Sequence, residues 1–197
     1  MRLAIINTGS ANRFSVETAL KRIGADCCDA KTPEDADGAD ALVLPGVGSA
    51  APAMKVLEAS GWRSRLQSET RPVFGICLGM QLLFERSAEG DVETLGVIRG
   101  EVRRLPESGL SWPHMGWNAL QITRPDPLLE RLSGGDYMYF ANGYYVPECE
   151  ATLATVSYGE TISAIVRQGN FMGCQFHPER SAKAGQQVLR NFCELAS

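Results

Sequence analysis

Apolar positions in the first half of the chain fall into short continuous runs separated by stretches with helical spacing. Leu3 to Ile6 is one such run, closed by the turn residues Asn7-Thr8-Gly9-Ser10. Val16, Ala19, Leu20 and Ile23 then recur at i, i+3, i+4 and i+7, with Gly24 placed to end a helix. Asp40 to Leu44 reads as a second buried strand, closed by Pro45-Gly46-Val47-Gly48, and a helix is predicted from Pro52 to the break at Gly61. Pro72 opens a third strand, Val73-Phe74-Gly75-Ile76-Cys77, after which an apolar helix is predicted from Leu78 through Phe84. Strands alternating with helices predict βαβ units, a parallel sheet and right-handed crossovers.

From Gly96 to about Tyr158 the pattern shifts to short β-like runs separated by turn residues. They include Val97-Ile98, Glu101-Val102-Arg103, Ala119 to Ile122 and Tyr137 to Phe140, and they predict an antiparallel or mixed extension. Pro127 to Leu132 suits a short helix, Ile162 to Val166 and Phe171 to Gln175 a hairpin, and Ala184 to Leu195 a last amphipathic helix. The expected architecture is α/β: an open, mostly parallel sheet flanked by helices, with an antiparallel part in the second half. No repeat, low-complexity tract or linker divides residues 1–197, so a single domain is expected.

Composition narrows the function classes. The chain has 197 residues, 44% hydrophobic and 21% charged, enough to fold without a metal or disulfide, since such a chain buries roughly 70% of its unfolded surface. Lys and Arg number 19 against 23 Asp and Glu, a net charge of −4, which argues against a nucleic-acid partner. No apolar run approaches the roughly 18 residues of a membrane span, and the first residues turn polar too early for a signal peptide. A soluble, cytoplasmic protein is expected. The six cysteines include no Cys-x-x-Cys pair and the two histidines, His114 and His177, lie far apart, so neither a metal site nor a disulfide framework is expected.

One cysteine stands apart. Gly75-Ile76-Cys77-Leu78-Gly79 lies between a predicted strand and a predicted helix, the context of a nucleophile elbow with cysteine in place of serine. Flanking glycines relieve Cβ clashes in a strained turn. A helix start favours a thiolate, and the Leu78 N–H can face a developing oxyanion. His177, in Phe176-His177-Pro178-Glu179, is the candidate base, with Glu179 to orient its ring. His114 has no acid beside it in sequence and reads as structural or partner-facing. Arg99, Glu101, Arg103 and Arg104 read as a solvated β face, and Tyr137, Tyr139, Phe140, Tyr144 and Tyr145 as strand and core aromatics.

These motifs resemble those of class I (triad) glutamine amidotransferases and, more narrowly, of the glutaminase subunits of imidazole glycerol phosphate synthases. The matching stretches run nearly end to end. They are Asn7 to Asn12, Leu44 to Gly48, Gly75 to Gln81, Pro113-His114-Met115-Gly116-Trp117-Asn118 and Phe176 to Ser181. The resemblance implies a Cys77, His177, Glu179 triad that hydrolyses L-glutamine, with Gly48, Leu78, Gln81, Gly143 and Tyr144 holding the substrate. The glycines on both sides of Val47 are expected to let the Gly46–Val47 peptide reorient, so that the Val47 N–H joins the Leu78 N–H as an oxyanion donor; the resemblance implies no metal or organic cofactor. It also implies ammonia transfer to a (β/α)₈-barrel cyclase subunit in a heterodimer serving histidine biosynthesis, with Asn12, Met115, Trp117, Tyr139 and Arg180 at the interface. A related amidotransferase serving another synthase, such as one amidating surface sugars, is the alternative. The chain departs from the family where Tyr-Phe-Val-His-Ser-Tyr is usual, reading Tyr139-Phe140-Ala141-Asn142-Gly143-Tyr144.

Overall fold

A strand that is apolar at every position must be covered on both faces, and this requirement organises the computed structural model, which describes residues 1–9, 13–107 and 109–196. The first half supplies β1 (Arg2–Ile6), α1 (Arg13–Arg22), β2 (Asp26–Ala30), β3 (Ala41–Gly46), α2 (Ala50–Ala59), α3 (Trp62–Gln67), β4 (Val73–Cys77) and α4 (Leu78–Gln81). The second half adds β5 (Arg86–Ser87), β6 (Val92–Glu93), β7 (Glu101–Arg104), β8 (His114–Ala119), β9 (Gln121–Ile122), β10 (Tyr137–Asn142) and β11 (Tyr144–Tyr145). It ends with β12 (Thr152–Ser157), β13 (Thr161–Gln168), β14 (Phe171–Cys174) and α5 (Ala182–Leu195).

Eight strands form one sheet in the order β2-β1-β3-β4-β14-β13-β12-β9. The first five run parallel and the last three continue antiparallel, as the sequence pattern predicts. Alternate residues feed two cores. Leu3, Ile5, Val43 and Phe74 point to one, closed by Val16 and Leu20 of α1 and by Val188, Leu189 and Phe192 of α5. Ala4, Ile6, Leu42 and Leu44 point to the other, closed by Met54 and Leu57 of α2 and Trp62 and Leu66 of α3. Phe74 and Phe192 stack with ring centroids 5.0 Å apart. Among the described residues, no helix is long and apolar enough to cross a membrane.

Several elements depart from the pattern-based expectation. The apolar helix after Cys77 stops at Gln81, because the Leu83 and Phe84 amides turn back to the Met80 and Gln81 carbonyls in an i−3 pattern. Val97 and Ile98 form no strand; both their amides donate to the Leu83 carbonyl, at 3.0 and 2.9 Å. Ala119 to Ile122 is split between β8 and β9, with Leu120 bonded to Asp136 rather than to either sheet. The short helix at Pro127 is a single 3₁₀ turn over Pro127–Leu129.

The register aligns the functional end of the sheet. Gly46 pairs with Cys77 and Cys174 with Ile76, so the chain leaves β3, β4 and β14 side by side. That carboxyl end of the parallel strands is where open α/β sheets bind ligands.

Candidate active site

Cys77 joins β4 to α4 with φ 53° and ψ −110°, a conformation rarely adopted by a residue bearing a Cβ. The surrounding glycines allow the close approach that holds it there. A Cβ on Gly75 would stand 2.6 Å from the Met80 nitrogen, and one on Gly79 1.7 Å from the Leu44 carbonyl oxygen. α4 has only four residues, so no extended helix dipole acts on the thiol.

Three residues after β14, His177 faces this thiol. Its Nδ1 lies 2.9 Å from Glu179 Oε1, and both side chains are almost fully buried. Burial opposes a charge on the imidazole more than any other single influence. Hydrogen bonding and charge attraction from Cys77 and Glu179 together outweigh it, and the His177 pKa is pushed up to about 10. The backbone is equally fixed. The His177 N–H donates to the Tyr139 carbonyl at 2.9 Å, and Ser181 Oγ donates to the His177 carbonyl at 2.7 Å. From the other side, Gln175 Nε2 lies 3.7 Å from Cys77 Sγ. A thiol, a buried base beside it and a carboxylate on the far ring nitrogen can together carry out nucleophilic acyl transfer.

These groups open into a cavity of about 360 Å³. Val47, Gly48, Leu78, Gln81, Gly143 and Tyr144, all singled out in the sequence, line it together with Cys77 and His177. Gln81 Nε2 donates to the Tyr144 carbonyl and to Gln175 Oε1, each at 2.9 Å, tying the helical turn after Cys77 to β11 and to the residue that follows β14. The two glycines around Val47 serve different ends. Gly48 has φ +97°, whereas Gly46 is packed so closely that a Cβ would meet Leu78 Cβ and Gly79 N at 2.8 Å.

Sequence reasoning missed Glu89 and Gln175. Glu89 lines the cavity, accepts the Ala50 N–H at 3.0 Å, and has its pKa raised by burial. Nothing in Ser87-Ala88-Glu89-Gly90 marks it; only the turn between β5 and β6 brings it to the cavity. Gln175 is completely buried, and its place directly before Phe176-His177 was the one available signal.

His114 lies elsewhere. It is buried between Phe140 and Tyr158, with ring centroids 4.9 and 3.9 Å away, and burial lowers its pKa to about 4. It is a structural imidazole kept neutral. The expected partner-facing residues gather on the outer face of the β8–β10 ribbon. Trp117 pairs with Tyr139 and Met115 with Ala141. Met115 and Trp117 are exposed, Trp117 meets Tyr139 edge-on at 5.9 Å, and the Arg180 guanidinium covers Tyr139 at 4.8 Å. Arg180 also borders the cavity. Asn12 lies outside the described residues.

A buried cysteine on a strand-to-helix turn, with a buried histidine just beyond the neighbouring strand, is an arrangement suited to acyl transfer in α/β proteins. The model of the class-I glutamine amidotransferase family matches residues 4–195, and the chain belongs to that family. Its sequence is 44% identical to imidazole glycerol phosphate synthase subunit HisH of Idiomarina loihiensis, over 99% of this chain and 98% of the relative. It is 48% identical to the HisH subunit of Xylella fastidiosa, over 98% and 97% of the two chains. A crystal structure of a glutamine amidotransferase shares the fold, with TM-score 0.76 and 24% identity over 98% of each chain.

Proposed function

We propose that residues 1–197 act as one glutaminase domain, the cytoplasmic ammonia-supplying subunit of an imidazole glycerol phosphate synthase. The observation that supports this reading is that Cys77 and His177 line one cavity while Glu179 holds the far ring nitrogen of His177 from behind it. Its chemistry follows from the groups present. The Cys77 thiolate attacks the glutamine carboxamide carbon, and the oxygen that gains charge is met by the N–H groups of Val47 and Leu78. As the C–N bond breaks, the His177 imidazolium gives its proton to the departing ammonia. Glu179 stabilises the positive ring beforehand and fixes its orientation. A water deprotonated by His177 then cleaves the γ-glutamyl thioester to glutamate and restores the thiol.

Substrate recognition uses the remaining wall. Glu89 supplies the one carboxylate that lines the cavity among the described residues, and its charge suits the α-ammonium of glutamine. Gly48, Gln81, Gly143 and Tyr144 complete the grip, in part through backbone groups. No metal or organic cofactor enters these steps.

The exposed aromatic ribbon with Met115, Trp117, Tyr139 and Arg180 is the docking surface for a (β/α)₈-barrel cyclase subunit, and Arg180 joins that surface to the cavity mouth. Ammonia released at Cys77 passes to the barrel rather than to solvent. The test is labelling with an electrophilic glutamine analogue. Modification of Cys77 alone, with parallel loss of glutamate release, is expected; modification at another cysteine, or none, overturns the assignment.

A further inference from the structure

Gly143 belongs to the cavity wall, and its carbonyl oxygen faces away from the cavity residue Gln81. That oxygen accepts the Leu105 N–H at 3.0 Å and the Trp112 Nε1–H at 3.1 Å. The next carbonyl, of Tyr144, faces the other way and accepts Gln81 Nε2 and Asn142 Nδ2 at 2.9 and 3.0 Å. A planar trans peptide points its C=O and N–H in opposite directions, so a Gly143 carbonyl pinned outward aims the Tyr144 N–H toward the Gln81 side, where substrate enters.

Trp112 is held in place to do this. The Arg104 guanidinium lies 4.9 Å from its ring centroid, a cation–π contact, and Arg104 itself pairs with Tyr144 across β7 and β11. The ring fits because residue 143 is glycine. A Cβ there would stand 2.5 Å from Trp112 Cζ2 and 2.9 Å from Cε2, closer than any side chain tolerates. Gly143, the position where the chain departs from the family pattern, and Trp112 are therefore sterically complementary.

We propose that Trp112 is a positioning residue for the substrate cavity, clamping the Gly143–Tyr144 peptide from outside so that the Tyr144 N–H is presented to glutamine. This rests on the reading of the cavity as a glutamine site. The clamp sets how well glutamine is held rather than the chemistry at Cys77, because the peptide lies in the wall and not at the nucleophile. It also makes positions 112 and 143 interdependent: a side chain at 143 is tolerated only when the indole is gone.

Glutamate release by the subunit saturated with its barrel partner tests this, read as separate KM and kcat values with melting temperatures alongside. Trp112→Phe keeps a ring but loses the N–H. It should raise KM about five- to tenfold, the effect of one such hydrogen bond, with kcat changed less than about twofold. Gly143→Ser should raise KM further, and adding Trp112→Leu should restore part of that loss. Should Gly143→Ser fail to fold, Trp112→Phe and Trp112→Leu still decide through the KM and kcat split. An unchanged KM in Trp112→Phe beside an active wild type overturns the clamp alone, as does strict additivity of Trp112→Leu with Gly143→Ser. A wild-type complex that releases no glutamate overturns the glutamine reading, and the clamp with it.

Discussion

Gly79 lies so close to the Leu44 carbonyl that a Cβ at position 79 would be 1.7 Å from the oxygen. The turn that carries Cys77 is thus seated against β3 by close backbone contact as well as by the packing of Leu78 with Leu44. Gly79→Ala forces the two apart, and overpacking of this kind costs about 1–3 kcal/mol. The expected outcome is a lowered melting temperature together with loss of glutaminase activity. Unchanged stability would mean that the elbow is less tightly seated than the geometry requires.

Glu89 faces the cavity, and its proposed partner is the α-ammonium of glutamine. Glu89→Gln keeps an acceptor for the Ala50 N–H but removes the charge. The contact exists before and during the reaction, so KM should rise about tenfold while kcat stays nearly constant. A fall in kcat at constant KM would place Glu89 in the chemistry instead.

His114 makes stability depend on pH. Its folded-state pKa of about 4 lies below the ordinary histidine value near 6.5, so the unfolded chain binds more protons between those limits. Stability from this residue is complete above pH ~6.5 and declines as the pH falls toward 4, by about 1–3 kcal/mol in all. Denaturant unfolding of wild type and His114→Phe across that range should show the acid-side slope reduced in the variant; identical slopes would assign it to other groups.

Arg180 borders the cavity and covers Tyr139 on the exposed ribbon. Reversing its charge with Arg180→Glu should weaken binding of the proposed cyclase partner about tenfold, given couplings above about 1.5 kcal/mol for close interfacial charges. Titration calorimetry at fixed salt measures this. Equal affinity and equal coupling of the two activities would take Arg180 out of the interface.

How much of this was legible in the sequence varies with how local each signal is. Cys77 and His177 stood out because an elbow and a His-Pro-Glu turn are each written within five residues. β3 and β4 were legible because burial on both faces demands continuous apolar runs. β2 was not: Asp26-Cys27-Cys28-Asp29-Ala30 is a half-exposed edge strand, with no run and no alternation to mark it. α3 begins directly after Gly61, where the glycine was read only as a stop. Glu89, Gln175 and Trp112 gain their roles from residues 39, 98 and 31 positions away, a relationship that no local pattern encodes.

In the proposed reaction, Cys77 is the group on which release of ammonia from glutamine depends. Cys77→Ser, assembled with the proposed cyclase partner, should form no cyclised product from glutamine yet retain synthesis from added ammonium salts, because only the ammonia supply is lost. The measurement is product formation with each nitrogen source, wild type against variant. Glutamine-driven turnover surviving in Cys77→Ser would contradict the central claim.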